Sequence, residues 1–318
     1  MFALRGMAVA LSVFFLVYAI SSAMIAMAWG RLIGRVQNFS PRQRVDLLFL
    51  LRIAPLALAT LVTAAFTVPS FLLLEPRSIR EALGLPPIVL GFCGLLLLLA
   101  GLTRCAISWW QAARIVRDWN SSSTSAQGVA RETGTVTRLD AASPLFCTVG
   151  ILRPRVMVST AVETLLSASE LRTAIQHETA HVRRHDNLQK LLLRFVSFPG
   201  MRSFDRALFE AMEFAADDAA VSTKLEALDL AAAILKLSQA APVPVIPELS
   251  TGLVHSPAAT LSTRIERLLT WQKPAVETKR NSSSWYALCT LAVTVAAFAL
   301  TYSTLLARIH TATEWLVR

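Results

Sequence analysis

The chain is short of the residues that would staple it or balance its charge. Cysteine occurs four times, at Cys93, Cys105, Cys147 and Cys289, with no C-x-x-C pair and with three of the four in or beside apolar runs. That pattern excludes a disulfide framework and a cysteine metal site. Acidic residues are few, 21 Asp and Glu against 31 Lys and Arg, which leaves a net charge of +10. No nucleic-acid recognition motif accompanies the surplus, so direct nucleic-acid binding is not expected, and an inside-positive membrane protein accounts for it. Lysine is scarce too, and none of the five has a Ser three residues earlier, so an S-x-x-K acylation motif is absent. No internal repeat is visible.

Uninterrupted apolar sequence is what the chain has in excess. Four charge-free runs, Met7 to Trp29, Ile53 to Leu74, Ala82 to Thr103 and Trp285 to Ala307, are each 22 or 23 residues long. Each is long enough to cross about 30 Å of hydrocarbon as a helix, and none shows the polar face of a core helix. The expectation is four transmembrane helices in a lipid bilayer. Pro55 and Pro69 in the second run and Pro86 and Pro87 in the third mark kinks or ends, tolerable where neighbouring helices satisfy the freed backbone groups.

The loop after the first run carries Arg31, Arg35, Arg42 and Arg44, whereas the loop after the second has only Arg77 and Arg80, offset by Glu75 and Glu81. The basic loop is expected on the cytoplasmic side. Both chain ends are then external, and the long segment between the third and fourth runs, with 21 Lys and Arg, is cytosolic. The expected organisation is a three-span region over 1–110, a cytosolic domain over 111–284, a fourth span over 285–307 and a short external tail over 308–318, in a bacterial inner membrane.

The inner segment opens with a polar linker, Asn120 to Gly128, followed by a strand-like stretch over Thr133 to Leu139. Two β-prone pieces, Phe146 to Val149 and Arg155 to Ser159, joined through Gly150 and Pro154, predict a hairpin. Ser167 and Glu170 have the spacing of a capping box and start a helix predicted to run to about His185. A second helix is expected over Asn187 to Phe198 and a third from Asp205 through Leu228. Four prolines make Ala241 to Ala258 a loop, and a short amphipathic helix follows around Arg264.

Chemistry concentrates in "HETAH", His177 to His181. His181 falls about 40° and Glu178 about 100° around the helix from His177, so all three share one arc. Two imidazoles one turn apart can bind one zinc, with the neighbouring carboxylate as general base. The metzincin pattern is excluded, because Arg184 and Asn187 occupy the places of its Gly and His. His185 reads as a solvated residue at the helix end. Glu213 and Asp217, in "EFAADD", are four residues apart on one helix face. Glu213 is the candidate third ligand, and Asp217 the candidate acceptor of the outer N–H of a zinc-bound His.

The segments "SPLFCTVGILRPRVMVST", "SASELRTAIQHETAHVRRHDN" and "MEFAADDAAV", inside a four-span frame, resemble the BlaR/MecR-type integral-membrane zinc metallopeptidases, and more distantly the HtpX and CAAX-prenyl protease group. The resemblance implies a mainly α fold: four transmembrane helices with a gluzincin-like zinc metallopeptidase domain, helical with a small β-sheet, inserted between spans three and four. It implies one zinc per chain on His177, His181 and Glu213, Glu178 as catalytic base, Asp217 behind the ligands, and Asp186 as a structural cap of the next helix. It implies that Arg155, Val156, Met157, Val158 and Ser159 form an edge strand pairing with an extended substrate, and offers His255 as a transition-state stabiliser, at a spacing unlike that of the distant relatives. The implied activity is endopeptidase cleavage of a cytosolic regulatory protein, such as a BlaI/MecI-like transcriptional repressor, or of the protease itself. An HtpX-like quality-control protease of membrane proteins is the alternative, and a membrane partner or homo-oligomer is compatible with either. Only Arg308 to Arg318 follow the fourth run, so the external penicillin-binding sensor is expected to be missing.

Overall fold

A computed structural model of the chain describes residues 2–75, 84–121, 136–141, 143–195, 198–240, 251–253, 258–272, 302 and 304–313. His255, the linker after residue 121, most of the loop over 241–258 and most of the predicted fourth span lie outside them. The chain divides into two compact units, one of Met1–Met27, Ile53–Ala100 and Pro274–Arg318, the other of Ala28–Arg52 and Gly101–Lys273.

The first unit draws on the long helices α1 (Phe2–Val36), α2 (Pro41–Val62) and α4 (Leu85–Ser121), and on α3 (Val68–Leu74), which continues α2 after a π-helical turn over Thr63–Thr67. Three helical stretches, Phe2–Val36, Pro41–Leu74 and Leu85–Arg114, are long and apolar enough to cross a membrane. They coincide with the first three predicted spans. Small residues let two of these helices meet: a Cβ on Gly91 would lie 2.9 Å from the Ala8 carbonyl oxygen, and one on Gly94 would lie 2.5 Å from that of Leu11. Backbones this close gain packing that lipid cannot supply.

Pro69 explains the π-helical turn. It has no N–H to give the carbonyl four residues back, Ala65, and its ring clashes there. The ladder slips by one residue, with the Val68 N–H bonded to the Thr63 oxygen. The orphaned Ala65 carbonyl accepts a 2.6 Å hydrogen bond from the Tyr302 hydroxyl.

The second unit is built around a four-stranded mixed sheet and a set of helices. The strands are β1 (Val136–Leu139), β2 (Phe146–Val149), β3 (Arg155–Ser159) and β4 (Thr251–Gly252), in the order β1-β3-β2-β4. β2 and β3 form the expected antiparallel hairpin, and Gly150 supplies its turn with φ 94°. One expectation is overturned here. Arg155 to Ser159 is not an edge strand, because β1 pairs with it in parallel, Val136 opposite Val156 through Leu139 opposite Ser159. A hairpin alone leaves that side open; the strand before it fills the gap, and the edges are β1 and β4.

The helices are α5 (Thr160–Leu165), α6 (Ala168–Arg184), α7 (Asp186–Phe195), α8 (Arg202–Ala220), α9 (Lys224–Ala240) and α10 (Ala258–Leu269). α6 starts at the predicted capping box, Ser167 with Glu170, and ends at His185, which takes a left-handed backbone with φ 53°. α6 lies against the sheet, α8 and α9, over a core that includes Val156, Val158, Leu230, Ile234 and Leu268. The predicted third helix is two. The chain breaks at Val221–Thr223, where Thr223 Oγ1 accepts from Glu226 N at 3.2 Å and the Glu226 carboxylate accepts from Thr223 N at 3.1 Å, a second reciprocal cap.

Candidate metallopeptidase site

α6 presents His177, Glu178 and His181 on the face turned toward α8, and all three are buried. α8 brings Glu213 and Asp217 to meet them. One donor atom each from His177, His181 and Glu213 lie within 4.8 Å of one another. The two imidazole Nε2 atoms are 3.1 Å apart, and each is 3.7 Å from a Glu213 oxygen.

The other nitrogen of each ring faces a carboxylate: His177 Nδ1 is 3.0 Å from Asp217, and His181 Nδ1 is 2.6 Å from Asp186. Both carboxylates favour the proton on Nδ1, which leaves the lone pairs of two neutral rings facing each other at Nε2. A cation between them relieves that repulsion, either a proton or a metal ion. With two imidazoles and a carboxylate as donors, the residues present fit zinc.

Without an ion, electrostatics assigns the proton to His177. Burial alone would lower its pKa, but the Asp217 and Glu213 carboxylates beside it raise it to about 9. Burial would raise Glu213 and Asp217; the Arg264 guanidinium and His177 win, holding Glu213 well below the usual carboxylate range and Asp217 at about 2. Arg264 is fully buried. Its Nη1 is 2.9 Å from Glu213 and its Nη2 is 2.7 Å from Asp217, and Nε donates to the other Asp217 oxygen at 2.9 Å. It also donates to the Leu253 carbonyl at 2.9 Å, tying α10 and β4 to the site.

Glu178 is positioned from the sheet. Thr148, on β2, donates to Glu178 Oε2 at 2.7 Å, while Oε1 is buried with no hydrogen-bond partner among the described residues. Asn187 donates to the carbonyls of Thr148 and Gly150 at 3.3 and 2.8 Å, fastening β2 to α7. Burial raises the Glu178 pKa, against the pull of His181 and His177. A carboxylate with one oxygen held, the other open and a raised proton affinity is suited to accept a proton from water.

The structure thus brings together His177, Glu178, His181, Glu213 and Asp217, whereas His255 lies outside the described residues. Arg155–Ser159 lies inside the sheet. Sequence reasoning missed Thr148, Asn187 and the grip of Arg264, and gave Asp186 only a capping part. Arg264 did leave a trace: it shares a helical stripe with Leu261 and Leu268, where a lone charge calls for a buried partner.

A family model described as BlaR1 peptidase M56 matches residues 87–268, more than half of the chain. No curated protein matches it.

Proposed function

Since the chain belongs to the BlaR1 peptidase M56 family, a group of membrane metallopeptidases, we propose that it is a zinc-dependent endopeptidase whose active site faces the cytosol. His177, His181 and Glu213 would hold the ion. Zinc bound there would supply Lewis acidity toward a water molecule and a peptide carbonyl. Glu178 takes the proton from the attacking water through Oε1 and returns it to the leaving amine. Thr148 keeps the carboxylate turned toward that task, and Asp217 and Asp186 hold the imidazoles with Nε2 inward.

The observation that carries this reading is the convergence of three donors beside a carboxylate that is held on one oxygen and open on the other. The arginine asymmetry of the first two loops supports a cytosolic position for 111–284, inserted between spans three and four, with 285–307 as the fourth span. The substrate we infer is a cytosolic regulatory protein such as a repressor, or the protease itself, which makes the enzyme a transmitter of a membrane signal.

The decisive measurement compares variants in membranes. Glu178→Ala should retain about one zinc per chain and lose cleavage, whereas His181→Ala should lose both. A Glu178→Ala protein cleaving at the wild-type rate would end this reading.

A further inference from the structure

The face of α6 turned away from the metal-site residues is occupied by something the peptidase chemistry does not use. A cavity of about 1300 Å³ lies there, and four arginines, Arg42, Arg172, Arg183 and Arg184, line it with Glu226 as the single acidic residue among the described residues. Glu226 is already engaged, accepting from Ser222 and Thr223 to cap α9. Arg42, Arg172 and Arg183 are exposed and have no ion-pair partner among the described residues. Arg184 reaches Asp186 only through Nε, at 3.5 Å, while both its Nη atoms are buried without a hydrogen-bond partner. Unspent positive charge of this kind favours an anion. Between the arginines the wall has an apolar part, Leu171, Ile175 and Val221, beside polar Gln176, Thr179 and Ser222.

Size and place choose among anions. The cavity exceeds the roughly 300–1,000 Å³ of a small-molecule site, so a free phosphate would leave the apolar wall uncovered. A lipid headgroup would meet the arginines alone, whereas Arg172, Ile175, Thr179 and Arg183 follow one another along a single stripe of α6 in the wall, the repeat that an amphipathic segment matches.

We propose that this groove is a docking site for an acidic, amphipathic segment of the protein substrate, which seats acidic side chains on the arginines and apolar ones on the wall. The proposal rests on the peptidase reading for the word substrate, but not for the binding itself. Docking on the far side of α6 would raise the affinity for a folded substrate without touching the chemistry, and would select acidic partners over neutral ones.

The test uses the full-length Glu178→Gln protein in detergent, which binds without cleaving, so a failure of catalysis cannot be mistaken for a failure of docking. The probe is a short fluorescent peptide with Glu and Leu at helical spacing, beside an analogue with Lys for Glu. The acidic peptide should bind, weaken as salt is raised, and lose at least about tenfold in affinity in the Arg172→Glu/Arg183→Glu double variant, with metal content unchanged. The Lys analogue should not bind. If the double variant does not insert in the membrane, Arg183→Ala and the salt titration of the unchanged groove decide in its place. Equal binding of the two peptides, or an acidic peptide indifferent to the variants and to salt, overturns the proposal. So does displacement of the peptide by inorganic phosphate at equal concentration, or by vesicles of anionic phospholipid, which would assign the groove to a small anion or to the membrane.

Discussion

Thr148 shows how one hydroxyl can decide whether a carboxylate is useful. Its 2.7 Å hydrogen bond fixes one Glu178 oxygen and so aims the other. Thr148→Val keeps the shape and removes the donor, leaving a buried carboxylate oxygen unpaired. A hydrogen bond to a charged group contributes about 1.5–3 kcal/mol, so kcat should fall by about tenfold or more while metal content stays constant. A steady-state assay with a metal determination checks both. His177 supplies a second expectation at this scale. Its pKa in the metal-free protein is raised to about 9, above the ordinary value near 6.5. A group raised on folding contributes stability that is full below the unfolded value and is lost as pH rises through the folded one. The Tm of metal-free protein should therefore decline between about pH 6.5 and 9, and binding zinc at pH 7 should release about one proton per site. Calorimetry in buffers of different ionisation enthalpy reads that proton; a heat independent of buffer would contradict the assignment. Local residues of the site were legible because one helical turn joins them: His177, Glu178 and His181 need no tertiary information. Thr148 lies 30 residues from Glu178, and Arg264 47 residues from Asp217, and no periodicity reports a contact of that kind.

Helix ends differ in how plainly they show in the sequence. Ser167-x-x-Glu170 stands before an amphipathic run and forms the cap it predicts, whereas Thr223-x-x-Glu226 has the same signature but sits inside a run of helix formers that hides it. The break it makes separates α8 from α9. The interior place of strand β3 is hidden because a hairpin is a local pattern and its parallel partner β1 is not; nothing in Arg155–Ser159 reveals that Val136 lies opposite Val156. In the membrane helices the prolines were more informative. The Tyr302 hydroxyl supplies the donor that Pro69 withholds from Ala65. Tyr302→Phe should cost about 0.6–2 kcal/mol, the range for polar contacts between membrane helices. Unfolding in mild detergent measures it, and a variant as stable as the parent would show that the π-helical turn satisfies Ala65 by other means.

At the scale of the whole molecule, the distribution of arginines carries a directional statement. If the first loop and the residues after α4 are cytosolic, cysteines introduced at Asn38 and at the exposed His185 should resist a membrane-impermeant maleimide in intact cells. A cysteine at Ser78, in the loop after the second run and so on the opposite side, should react. Labelling in the reverse pattern would invert the protein and move its active site to the outside. The grip of Arg264 on Glu213 and Asp217 also sets a timetable. His177, His181 and Glu213 all leave the ribosome before it, and Arg264 follows Glu213 by roughly fifty residues. At about 5–20 residues per second that is a delay of some seconds. During it the two carboxylates lack the cation that holds them, and the Leu253 carbonyl lacks its donor. The nascent chain thus carries every candidate ligand while the clasp is still unmade, and the site is finished only once α10 has emerged.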